Sequence, residues 1–181
     1  MDNGVGIRDQ ITADGHLQEE INGALEDFAD SLPGVTDLRL ARLLTRTLEP
    51  SWAEHISFQD HVVFPIIANL DSGTKNIAGV VDRLQAQHAS LAEHHTEIKE
   101  ELVNLLDGDR SNSRMLARLL RSAVRQRRRH LEAEAALTGR LPGMFTPSDA
   151  ALLGSWLANR PKPAFPLSML NHRQRRRSAR D

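Results

Sequence analysis

Cysteine and tyrosine are absent from this chain, and aromatic residues make up only 4% of it. Without thiols there is no disulfide framework, no thiolate zinc site and no cysteine-ligated iron–sulfur cluster, so imidazole and carboxylate are the remaining metal-binding groups. Long apolar runs are missing too. None approaches the ~20 residues of a membrane helix, and the amino end is polar and acidic where a signal peptide would be basic and then apolar. The sequence therefore reads as a soluble, cytoplasmic protein with no membrane partner. Charge of one sign is also lacking: 23 Lys and Arg against 24 Asp and Glu give a formal net charge of −1. That balance argues against nucleic acid as the partner of the whole domain, and any basic site must be local. No HExxH, P-loop or GxGxxG motif occurs, and no serine or cysteine triad can be argued. Nothing names a reaction, and the weight falls against an enzyme.

What is present is helical periodicity. The chain has 181 residues, 40% of them hydrophobic, enough for one domain with a real core. Apolar residues recur at three and four, never persistently at two, which predicts an all-helical fold. Helix one is expected from about 14 to 32, stopping at Pro33-Gly34, and helix two from about 36 to 70 with a kink or split at Pro50. Helix three is expected over about 74–106 and helix four over about 113–140. Thr146-Pro147-Ser148-Asp149 then opens a short fifth helix to about Asn159 by a cap followed by proline. Short connections between four long helices predict an up-down-up-down four-helix bundle. Domain limits follow: an amino-terminal arm over 1–10, the bundle over 11–160, and a Pro/Arg-rich tail over 161–181.

Histidines interrupt the apolar stripes of these helices. On helix three, Ile77, Val81, Leu84, His88, Leu91, His95, Ile98 and Leu102 share one face. Helix four gives Leu116, Leu119, Ala123, Gln126, His130, Glu134 and Leu137, and helix two gives Trp52, His55, Gln59, Val63 and Ile66. Residues four apart lie ~6 Å apart along the axis, so His55 with Gln59, and His130 with Glu134, can converge on one ion or one ion pair. A buried carboxylate needs a partner. Two outcomes satisfy that need: a metal centre, or a metal-free layer in which His130 and Glu134 pair internally.

The stretch His55-Ile56-Ser57-Phe58-Gln59-Asp60-His61-Val62-Val63-Phe64-Pro65 resembles the second-helix motif of the hemerythrin-like, histidine–histidine–glutamate cation-binding domains. Gln87-His88-Ala89-Ser90-Leu91 is similar to that family's third-helix motif, and His130-Leu131-Glu132-Ala133-Glu134 to its fourth. The likeness covers roughly residues 10 to 160. It implies a bundle holding non-haem iron as a di-iron centre, with His55, His88, His130 and Glu134 as ligands and His16 as the histidine available on helix one. The function it implies is binding or sensing of a small diatomic ligand, O2 or NO, or a response to iron or redox state.

Gln59 stands where the family has a bridging glutamate, and a neutral amide is the poorer ligand. Asp60 is the neighbouring substitute, although it lies ~140° round the helix from His55. His88 and His95 share a face but stand ~10 Å apart, too far for one ion. His88 is favoured on its flanking residues, and His95 is the second candidate. His61, His94 and the edge residue His16 point away from the stripes. The reading from another class is a degenerate, metal-free bundle serving as a regulatory or interaction module. In it the tail His172-Arg173-Gln174-Arg175-Arg176-Arg177-Ser178-Ala179-Arg180 would contact an anionic partner. The run Arg127-Arg128-Arg129 is either a solvated helix face or an arginine-lined mouth to the site. Oligomeric state is not legible.

Overall fold

The computed structural model describes residues 3–34, 36–70, 77–141 and 145–160, and the tail over 161–181 lies outside them. The elements are α1 (Asn3–Ser31), α2 (Leu38–Phe58), a π-helical segment (Gln59–Val63), α3 (Phe64–Leu70), α4 (Ile77–Leu106), α5 (Ser113–Thr138) and α6 (Pro147–Asn159). Among the described residues there is no strand. Each of α1, α2, α4 and α5 packs against two of the others: α1 on α2 and α5, and α4 on α2 and α5.

Local chemistry sets the helix ends. The Asp37 carboxylate accepts from the backbone N–H of Arg39 and Leu40 at 2.9 and 3.1 Å, filling two of the donors a helix start leaves open. Thr146 and Asp149 form a reciprocal capping box at the start of α6, with Pro147 next to the cap. The expected arm over 1–10 is instead largely the opening of α1. Ile7 is fully buried against the apolar cluster that holds Leu153 and Trp156, and that contact recruits the segment into the helix.

The second helix is interrupted later than expected. α2 runs unbroken past Pro50, which is exposed, and the irregularity falls at Gln59–Val63. Pro65 lies just beyond it: it has no N–H, and its ring would strike the carbonyl four residues back in a regular helix. The widened turn relieves this, with the Phe64 N–H bonding Gln59 O, five residues earlier.

Two apolar clusters fill the interior. One gathers Ile21, Leu25, Phe28, Leu44, Leu48, Ile98, Leu102, Leu116 and Leu120. The other gathers Ile7, Phe58, Val63, Ile67, Ile77, Leu84, Leu137, Leu153 and Trp156. On all four long helices the residues between these clusters are polar or bulky: Gln18, then Trp52 and His55, then His88, Leu91 and His95, then Arg127, His130 and Glu134, all buried. The first cluster comes after this layer on α1 and α4, and before it on α2 and α5.

Candidate metal centre

The buried layer brings His55 from α2, His88 from α4, and His130 and Glu134 from α5 together, one ligand atom of each lying within 4.8 Å of all the others. The Nε2 atoms of His55, His88 and His130 stand 3.2, 3.4 and 2.9 Å from a single oxygen, Oε1 of Glu134. His88 Nε2 hydrogen-bonds that oxygen, but for the other two close approach is not hydrogen bonding: His55 Nε2 and His130 Nε2 are buried without a hydrogen-bond partner. Nitrogen atoms crowded round one carboxylate oxygen, two of them without a hydrogen bond, are arranged for a cation among them. The group therefore has the composition and convergence to hold one metal ion.

The other ring nitrogens fix the orientation of two of the rings. His55 Nδ1–H donates to Asp14 Oδ2 at 2.7 Å, and His130 Nδ1–H donates to Gln87 Oε1 at 2.9 Å. In each ring the bond on Nδ1 leaves Nε2 as the atom facing Glu134. Trp52 forms the floor. Its ring stacks on His55 at 4.7 Å and meets His88 and His130 edge-on at 5.7 and 5.4 Å, while its Nε1–H donates to His88 O.

Burial opposes a charge on His55, yet the negative charge of Glu134 and the hydrogen bond with Asp14 outweigh it and raise its pKa to about 9. Burial likewise opposes charge on Glu134, but the positive charge of His55 and the close approach of the three imidazoles hold its carboxyl well below the usual range. His130 is lowered, with burial the largest cause. A proton on His55 thus balances the buried carboxylate, and a bound cation would take over that role and release it.

A cavity of about 600 Å³ between α1 and α5 reaches the group, with Glu134, Gln59, Asp14 and His16 on its wall. His16 is exposed there. Gln59 is buried with Oε1 unpartnered. Asp60 accepts from Gln85 Nε2 at 2.9 Å, near the surface. His61 is exposed and His94 half-buried, each with its Nδ1 bonded to a backbone oxygen four residues earlier. His16, Asp60 and His95 stand apart from the converging ligands.

His95 belongs to a second layer. It is fully buried, and its Nε2 accepts from Arg127 Nη1 at 3.0 Å. Arg127, also fully buried, gives its other bonds to Asn22 Oδ1 and Gln18 Oε1, both at 2.6 Å, and lies over the Trp52 ring at 4.9 Å. Burial and the adjacent guanidinium push His95 down to about 2, so this ring stays neutral. Burial lowers Arg127 to about 10, which leaves it charged at neutral pH.

Sequence reasoning missed Arg127, Asp14, Gln18 and Asn22. The signal for Arg127 is the alternation 116, 120, 123, 127, 130, 134, 137, whose members are all buried. Comparison of the chain with protein families, curated proteins and solved structures gives no match.

Proposed function

We propose that this protein is a hemerythrin-like, up-down-up-down four-helix bundle that binds non-haem iron through His55, His88, His130 and Glu134. The observation that carries this is the convergence of three imidazole Nε2 atoms on Glu134 Oε1, two of them without a hydrogen bond of their own. The bundle topology is supported by the order of the two apolar clusters, which reverses from each long helix to the next. Imidazole with one carboxylate suits iron, and four ligands from one group favour a single ion over the di-iron centre. Iron there would supply an open coordination position for a small ligand such as O2 or NO, as a sensing or binding module rather than an enzyme. Asp14 and Gln87 orient two of the rings, Trp52 excludes water from below, and the cavity beside Glu134 gives a small molecule its approach.

The test is elemental analysis by plasma mass spectrometry of the full chain produced with added iron, beside the His130→Ala and Glu134→Gln variants. About one iron per chain, lost in both variants, supports the proposal. Zinc in place of iron overturns the choice of metal, and about two irons per chain overturns the single-ion centre. No metal in a well-folded wild type overturns the metal centre and favours the metal-free interaction module.

A further inference from the structure

The residues Ser113–Arg129 of α5 include seven arginines and no acid, although the chain as a whole is close to neutral. Arg127 turns inward and Arg128 pairs with Glu26 of α1. The remaining five, Arg114, Arg118, Arg121, Arg125 and Arg129, are spaced by four, three, four and four residues. At ~100° per residue they fall within an arc of about 80°, a single ridge roughly 22 Å long. All five are exposed. Arg121 is tied to Asp30 at 3.1 Å, while Arg114, Arg118, Arg125 and Arg129 have no ion pair among the described residues.

Like charges lined up without counter-ions repel one another, and a helix face built this way needs an anionic partner to gain from it. We infer that this ridge of α5 binds the phosphate backbone of duplex nucleic acid, without reading its sequence. The partner's chemistry follows from what accompanies the arginines. Guanidinium groups match phosphate oxygens in paired hydrogen bonds, and their spacing of about 6 Å along a straight rod suits a periodic row of phosphates. α5 carries no Phe, Tyr or Trp to stack on splayed bases, which disfavours a single strand. The exposed large apolar residues, Val103, Met115 and Leu157, are scattered over three helices, so the ridge lacks the apolar flank with which a helix settles into a lipid surface. This surface is separate from the metal centre and stands or falls without it.

Fluorescence anisotropy of the full chain with a labelled duplex of about 20 base pairs, over a salt series, tests the inference. Four phosphate contacts predict a log–log salt slope near −3.6, or roughly 100-fold weaker binding between about 50 and 200 mM salt. Replacing Arg114, Arg118, Arg125 and Arg129 together by Gln should abolish that slope, and replacing them by Lys should keep most of it. Because these side chains are exposed, the helical circular dichroism should be unchanged in both. The tail is a rival source of charge, so a second full-length variant replaces its Arg173, Arg175, Arg176, Arg177 and Arg180 by Gln. Binding and slope that survive the ridge variant but vanish with the tail variant overturn the inference. So does a wild type that ignores the duplex, including one that binds vesicles of anionic lipid instead.

Discussion

Two buried polar layers press on one tryptophan and differ in how their polar atoms are matched. Around Arg127, the guanidinium donates to Gln18, Asn22 and His95, and the layer closes on itself save for His95 Nδ1. Around Glu134, three imidazoles meet one carboxylate oxygen, and two of the nitrogens aimed at it have no hydrogen bond. Both layers are buried and both sit between the same apolar clusters, so burial alone does not separate a structural polar layer from a binding one. Unmatched atoms that converge on a common point do.

The largest contrast comes from deleting the centre of each layer. Glu134→Gln should drop metal content from about one ion per chain to below a tenth, since it removes the only carboxylate of the group and leaves the fold intact. Arg127→Met should do the reverse. It strands three buried acceptors and costs roughly 3–5 kcal/mol, a fall in Tm of about 10 °C or more, while the ligands remain in place. Thermal melts paired with elemental analysis of both proteins check this. Loss of metal in Arg127→Met at a temperature where it is fully folded would merge the two layers into one functional unit.

Acid should separate the layers next. His95 is held neutral in the folded chain with its pKa near 2, against 6.5 when unfolded. The unfolded chain therefore takes up a proton below pH 6.5 that the folded chain refuses. The stability this group contributes is complete above pH 6.5 and declines as pH falls, by up to ~1.4 kcal/mol per pH unit. Compared with wild type in chelator, His95→Gln should lose stability less steeply between pH 6.5 and 5, the difference amounting to about 2 kcal/mol at the lower end. Denaturant melts across that range supply the comparison, and parallel curves would mean that the folded chain does not hold His95 neutral.

The same contrast explains which parts of the molecule were legible in the sequence. The helices were, because apolar spacing at three and four is a repeated signal and the caps at Asp37 and Thr146 have distinctive residues. His55, His88, His130 and Glu134 were found as polar interruptions of apolar stripes, the pattern that burial imposes on ligands. Arg127 was hidden by its neighbours. Three consecutive arginines read as solvated, yet steps of ~100° send them in three directions, one inward, one toward Glu26 and one to solvent. Asp14 was missed for a different reason. It reaches His55 across a gap of 41 residues, and no periodicity within one helix encodes a contact between two. The π-helical turn at Gln59–Val63 was not foreseen: a split was expected at Pro50, but the helix continues past it and its regular hydrogen bonding gives way just before Pro65.

The smallest effects are those of the groups that orient the ligands, and they rank themselves. Asp14 is an anion in a largely enclosed position, 2.7 Å from the His55 Nδ1. Its negative charge makes the ring a stronger donor to a cation as well as aiming it. Asp14→Asn keeps the shape and removes the charge, and the expected loss in metal affinity is about 10- to 100-fold. Gln87 offers His130 a neutral amide oxygen at 2.9 Å from an exposed side chain, where water can take its place. Gln87→Leu should therefore weaken binding by less than about 10-fold. Competition titration with a chelator of known affinity orders the two variants. Equal losses would mean that aiming the ring matters and the charge behind it does not. A larger loss at Gln87 would mean that His130, the imidazole on the same helix as Glu134, dominates the binding of the ion.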